Sequence, residues 1–386
     1  MSDHSVSAPN LAELQTHRSE KWRGFASDVL PLPVAEMDYP VAQPIRDLLS
    51  EMVAKSDLGY LGAIPELGKG FAHFAGTRWN WEVDPLQVRA ATDVGVAVVE
   101  ILRVFTKPGD SILLSSPVYH NFYNWINETQ LNLVDVPFER TGDESANPWE
   151  INWDGIEKAY AAGIKVHLLC SPHNPLGRIY TKEELLHLVA LAKRYQVLII
   201  SDEIHAPLTF KGKSFTPMLN LGADAEAVSV TVTAASKGWN IAGLKCAIIV
   251  SQNEAVNARL GQMPIAVHYR ASLFGAVASA VAYECADWLD SAIATMESNR
   301  RFLANLLSKE LPNVGYRIPD FSYLAWLDLK KLNLGENPSE VLLEKGKLAV
   351  NAGVMFGAES ASFVRLNFAT SEEIISEAIS RMVSCV

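Results

Sequence analysis

Cysteine is scarce in this chain, with four in 386 residues, and none forms a C-x-x-C pair. That excludes a zinc ribbon and a thioredoxin-like redox motif. Cys170 and Cys246 lie in apolar, strand-like runs and read as buried thiols. So few cysteines in a long chain fit a reducing compartment. Positive charge is also short: 33 Lys plus Arg stand against 44 Asp plus Glu, a net charge of −11. Such a chain is a poor polyanion binder, so nucleic acid is not an expected partner. Small phosphorylated ligands stay open, because backbone amides can hold them. Long hydrophobic runs are missing. The longest charge-free apolar stretch, Ala271 to Tyr283, has 13 residues, too few to span a bilayer. Met1 to Asn10 shows no apolar signal-peptide region. These absences predict a cytoplasmic protein without membrane contact. Several standard site motifs are absent too: G-x-G-x-x-G, H-E-x-x-H and G-x-S-x-G. Gly212-Lys213-Ser214 imitates the end of a P-loop, but Pro207 stands where that loop needs Gly. No metal site is expected.

Hydrophobic residues make up 49% of the chain and charged ones 20%, enough apolar material for a large core. At a typical domain size of ~150 residues, the length suggests two or three domains. The first forty residues are irregular. From about Val88, apolar strand-like runs alternate with helical ones. Ser111–Ser115, Leu131–Phe138, Lys165–Cys170, Val197–Ser201, Val228–Thr233 and Cys246–Val250 read as strands, of which Leu131–Phe138 alternates. Strands without polar alternation belong to a sheet buried on both faces. A helix starts at Thr181 in a T-x-x-E capping box, and Leu185, Leu188, Val189 and Ala192 share one of its faces. The pattern is that of an α/β protein with a mostly parallel central sheet. After roughly Glu284 it shifts to a long helix, Trp288 to Leu311, and a short strand around Tyr323–Leu329. A last helix opens with a second capping box at Thr370–Glu373. This reads as a smaller α+β domain. The expected division is 1–49 as an N-terminal segment joining the small domain, 50–285 as the large domain, and 286–386 as the small one.

Four patterns stand at the ends of apolar runs. They are Ser171-Pro172-His173-Asn174-Pro175-Leu176-Gly177-Arg178, Ser201-Asp202-Glu203-Ile204-His205, Ala235-Ser236-Lys237 with Asn240-Ile241-Ala242-Gly243-Leu244 following, and Phe363-Val364-Arg365-Leu366-Asn367. In an open α/β sheet the site lies at the carboxyl ends of the strands, where the first three fall.

In combination these motifs resemble the fold-type I enzymes that use pyridoxal 5′-phosphate (PLP), the class I/II aminotransferases. The likeness covers nearly the whole chain and is strongest to the MalY/PatB-like cystathionine β-lyase (C–S lyase) branch. Leu32-Pro33-Val34-Ala35-Glu36-Met37-Asp38 resembles that branch's L-P-x-W-V-A-D-M-D stretch, with the Trp lost and Glu36 in place of Asp. Gly238-Trp239 departs from the branch's S-K-T-F, and Pro207 replaces an acid found two residues after the His.

The resemblance implies a PLP-dependent transferase fold and a set of roles. Lys237 supplies the amine that holds PLP and later acts as general base. Asp202 faces the ring nitrogen, where an opposite charge favours the protonated form. Asn174 donates to the ring's oxygen. His205 fits either a contact to that oxygen or a satisfied core histidine. Tyr119 stacks on the ring. The phosphate is assigned to the Val94 and Gly95 amides, with Ser236 and Lys245 adding a hydroxyl and a cation. Arg365 clamps the substrate carboxylate. Asp38 fits either the substrate end or a structural cap. Tyr60, in a Gly59-Tyr60 pair, reaches the neighbouring subunit's phosphate, which implies a homodimer. Trp125, Trp239, Trp288 and Trp326 read as packing. The partner is a small amino-acid substrate. The implied reaction is β-elimination from a cysteine thioether. Transamination of a hydrophobic or aromatic amino acid shares the scaffold, and no single residue chooses between them. A binding or regulatory role without turnover is the third reading, against which Lys237 and Asp202 both argue.

Overall fold

Short strands of four or five residues, several of them rich in Val, Ile and Leu, build the centre of the molecule. In the computed structural model, which describes residues 6–141 and 148–386, they form a seven-stranded sheet. Its strands are β1 (Val88–Ala91), β2 (Ser111–Leu114), β3 (Asn132–Asp135), β4 (Val166–Cys170), β5 (Leu198–Asp202), β6 (Ser229–Thr233) and β7 (Ala247–Val250). The order is β1-β7-β6-β5-β4-β2-β3. β7 runs antiparallel to both its neighbours, and every other pairing is parallel. The mostly parallel sheet expected from the sequence is therefore present, with strand limits within a few residues of those read from the apolar runs.

Successive side chains of the buried strands divide between two cores, as the strand period of two requires. Ile112, Leu114, Leu168 and Ile200 pack with Val98, Ile101 and Leu102 of a helix preceding β2. Leu113, Leu169 and Ile199 pack with Leu185 and Leu188 on the other face. The helices of the large layer include α1 (Pro65–Trp79), α2 (Val94–Phe105), α3 (Asn121–Glu128), α4 (Lys182–Tyr195) and α5 (Leu273–Glu284). α4 carries the capping box in full: Glu184 N donates to Thr181 Oγ1 at 3.1 Å and Thr181 N to Glu184 Oε2 at 2.8 Å.

The second layer holds α6 (Ala286–Glu310), α7 (Glu372–Val383) and an antiparallel sheet. Its strands are β8 (Gly315–Tyr316), β9 (Leu324–Asp328), β10 (Asn351–Ala352) and β11 (Phe363–Asn367), ordered β8-β9-β11-β10. The second expected capping box is displaced by one residue. Ser371, in extended backbone, receives Ile374 N, and Thr370 is buried beneath the turn. The N-terminal segment runs along this layer. Leu30–Pro31 pairs in parallel with Leu348–Ala349, Leu32 O accepts Asn367 N at 2.9 Å, and Ala369 O accepts Asp38 N at 2.9 Å. We propose the domain division 50–285 and 286–386, with 1–49 joining the latter. The boundary at Cys285 is the single residue between α5 and α6.

Candidate active site

The carboxyl ends of β1, β2, β4, β5 and β6 open onto one cavity of about 410 Å³. β7 enters it from the opposite direction, so the residues before β7, Lys245 and Cys246, stand on the same rim. The volume lies within the roughly 300–1,000 Å³ of small-molecule sites. Val94, Gly95, Tyr119, Asn174, Asp202, His205, Ser236, Lys237 and Lys245 all line it.

One end is shaped for an anion. Asp93 caps α2 through Val96 N at 2.9 Å, and the first helical amides have no partner within the helix. Val94 and Gly95 present those amides to the cavity beside Ser236. Lys245 Nζ lies 3.3 Å from Asp93 Oδ2, with its side chain more than half exposed.

Asp202 forms the floor. It is the last residue of β5, and Ile204 N donates to its Oδ1 at 3.1 Å. Burial pushes its carboxyl up to about 7, against the pull of that amide and of Lys237. Next to it, Glu203 faces away from the cavity and accepts Ser201 Oγ and Met218 N, each at 2.9 Å. His205 reaches Ser322 Oγ through Nδ1 at 3.0 Å. Burial holds its imidazole well below the usual value, hence neutral. His205 thus lines the cavity and has a structural partner at once.

Lys237 lies in the short helical turn after β6. Its Nζ donates to Ala35 O at 2.6 Å. Desolvation, helped by the Arg365 charge, lowers its ammonium to about 8. Asn174 gives its amide oxygen to Arg365 Nη1 at 3.2 Å, which leaves its NH₂ as a donor. Tyr119 packs edge-on against Trp125 at 6.0 Å, and its hydroxyl accepts Asn121 Nδ2 at 2.7 Å. Arg365, central in β11 and buried, sits behind Asn174 rather than on the cavity wall.

Besides Arg365, which reaches the site through Asn174, two expected site residues do not line the cavity. Asp38 does not line the cavity. It is buried against Lys21, 2.8 Å away, and accepts Trp22 Nε1 at 3.0 Å. The turn at 35–38 presents Ala35 to the cavity and points Asp38 at the N-terminal helices. Tyr60 is 93% exposed and does not line its own chain's cavity. It shares a surface hollow with Leu58 and Tyr269, which are also exposed.

Some lining residues escaped the sequence reading. Thr92, directly before the Asp93 turn, has a buried Oγ1 without a partner; a wider reading of that turn would have included it. Trp125, read as packing, in fact walls the cavity. Its indole lies against Gly95, where a Cβ would come within 2.9 Å of the ring. Nothing in the local pattern of α3 signals this. Cys170 and Cys246 also face the cavity, and burial pushes both thiols up, so neither is a nucleophile at neutral pH. Among the described residues no helix is long and apolar enough to cross a membrane.

Residues 28–382 match the family model for aminotransferase class I and II. A cystathionine β-lyase of Corynebacterium glutamicum is 34% identical, over 97% of this chain and 99% of that protein. The cystathionine β-lyase PatB of Bacillus subtilis is 31% identical over 92% of each. Among solved structures, cystalysin from Treponema denticola, which contains PLP, superposes with a TM-score of 0.90 at 25% identity, covering 100% of this chain and 98% of that one.

Proposed function

The chain belongs to the aminotransferase class I and II family, and from that premise we propose that it is a PLP-dependent C–S β-lyase. It cleaves cysteine thioethers of the L-cystathionine type to a thiol (homocysteine from cystathionine itself), pyruvate and ammonia. The observation that carries this reading is the full-length similarity to two cystathionine β-lyases, in a chain whose cavity brings Lys237, Asp202 and the N-terminus of α2 together.

The residues fit the cofactor. An unpartnered, buried hydroxyl at Thr92, the free amides of Val94 and Gly95, the Ser236 hydroxyl and the Lys245 cation suit a phosphate. Asp202 suits a protonated ring nitrogen: a cation opposite it favours the carboxylate that burial alone disfavours. Asn174 and His205 can both contact the ring oxygen, and Tyr119 its face. Bound PLP supplies an electron-withdrawing system that stabilises charge at the substrate's Cα.

The chain's own groups do the rest. The Lys237 amine, with its ammonium lowered to about 8, is sufficiently deprotonated near neutral pH to hold the cofactor and to take the Cα proton. Arg365 holds the substrate carboxylate and so fixes which bond at Cα faces Lys237. The Cβ–S bond breaks with its electron pair on sulfur, the thiolate takes a proton, and one water is consumed as the remainder becomes pyruvate and ammonia.

We assign Tyr60 to the phosphate of the neighbouring subunit in a homodimer. Its exposure beside Leu58 and Tyr269 supports a surface covered by a second copy. The unpaired state of all four cysteines supports a reducing, cytoplasmic setting, where homocysteine would feed methionine synthesis. The test is incubation of PLP-loaded protein with L-cystathionine, following pyruvate and free thiol together. Equal amounts of both are expected. Their absence with every cysteine thioether would overturn the lyase reading, and amino-group transfer to a keto acid in the same preparation would identify a transaminase.

A further inference from the structure

Arg365 is 2% exposed, yet every hydrogen-bond acceptor around it is neutral. Nη1 donates to Asn174 Oδ1 at 3.2 Å, and Nη2 to Pro33 O at 3.1 Å and to Asn351 Oδ1 at 2.6 Å. Among the described residues no carboxylate lies within ion-pair distance of it, and its Nε is buried without a partner. The Phe356 ring lies 4.9 Å from the guanidinium carbon. A buried cation without an anion is costly, and burial lowers its pKa to about 10.

The shortest of the three contacts comes from the facing strand. Asn351, on β10, is registered directly opposite Arg365 on β11, so the two side chains stand on one face of the sheet as a cross-strand pair. An aspartate has nearly the same shape as an asparagine. At this position it would form a buried ion pair and cancel the charge that a ligand carboxylate needs. Asparagine supplies the same bond without the charge.

We propose that Asn351 is a positioning and specificity residue: it fixes the Arg365 fork through a neutral oxygen and so keeps the guanidinium available for a substrate carboxylate. The inference deepens the proposed function and rests on Arg365 as the carboxylate clamp.

The test compares PLP-loaded wild type, Asn351→Asp and Asn351→Ala. The probe is methylthiopropionate, a thioether carboxylate without an amino group, and its binding is measured by calorimetry. Asn351→Asp is expected to weaken the probe by about tenfold or more, because the introduced carboxylate competes for the same fork. Asn351→Ala is expected to weaken it by only roughly threefold, through lost orientation. With a cleavable thioether, KM should rise in both variants while kcat stays within about twofold.

Wild-type binding in Asn351→Asp, or binding no weaker than in Asn351→Ala, overturns the proposal. So does a wild-type enzyme that ignores the probe. If Asn351→Asp does not fold, Asn351→Ala decides: unchanged probe binding overturns the proposal, and weaker binding with kcat held supports it. Because the probe cannot be cleaved, this result is independent of whether cystathionine yields pyruvate.

Discussion

Lys237 Nζ donates to the carbonyl oxygen of Ala35 at 2.6 Å, across a separation of 202 residues. The Tyr323 hydroxyl donates to the same oxygen at 3.1 Å. Residues 33–37 form a strap whose other carbonyls are held as well: Arg365 Nη2 takes Pro33 O, and Asn367 Nδ2 takes Val34 O and Glu36 O. Asn240 accepts Met37 N on Oδ1 and donates Nδ2 to Met37 O. The strap is thus fastened by side chains of the second sheet and of the turn that carries Lys237. It gives the amine a fixed acceptor at the cavity wall when the amine is not otherwise bonded.

Replacing Lys237 with Ala removes the cavity-lining amine that bonds Ala35 O, leaving Lys245 at the rim. Turnover is expected to fall by on the order of a thousandfold or more. The absorbance of covalently held PLP should vanish while thermal unfolding of the apoprotein stays near that of wild type. Retained activity in Lys237→Ala would show that the site has been assigned to the wrong residue.

The acidity of Lys237 sets a pH dependence. An ordinary lysine titrates near 10.5; here desolvation and then Arg365 bring it to about 8, while Glu36 and Asp202 pull the other way. Only the neutral amine attacks a carbonyl, and its fraction grows as pH rises through that value. PLP uptake by apoenzyme, followed by absorbance, should therefore accelerate with a midpoint near 8. A midpoint near 10.5 would mean that the amine is solvated.

Asp202→Asn keeps the shape and the Ile204 contact but removes the charge. A ring nitrogen that loses this partner is protonated less readily. A loss of about two pKa units corresponds to ~3 kcal/mol, so kcat/KM should fall by on the order of a hundredfold. The bound cofactor's absorbance should change its pH response in parallel. Wild-type kinetics in this variant would remove Asp202 from the site.

Gly95→Ala tests the wall. The added methyl group would come within 2.9 Å of the Trp125 indole, an overpacking that typically costs about 1–3 kcal/mol. The ring must shift into the anion end, so PLP affinity should drop. Combining it with Trp125→Leu should recover part of the loss. Equal PLP affinity in Gly95→Ala and wild type would show that the indole yields freely.

Much of this protein is local and so was readable from the chain alone. Thr181 and Glu184 are three residues apart, and the box they form needs nothing beyond one helical turn. Val166–Cys170 is apolar throughout because both faces of its sheet are covered, and a run of that kind announces itself without a partner. Ser236-Lys237 and Asp202 stand where apolar runs end, which in a parallel sheet means one shared edge.

The tertiary structure decided what depends on register and strand order. β7 reverses direction, and that alone brings Lys245 to the rim. Asp38 belongs to Lys21 and Trp22 because the strap turns Ala35, not Asp38, toward the cavity. Trp125 walls the site because Gly95, thirty residues earlier, leaves room for it. Asn351 faces Arg365 because two short strands pair in one register rather than the next. Periodicity within an element is written in its own residues. Which elements meet, and at which residue, is set by the packing of the whole chain.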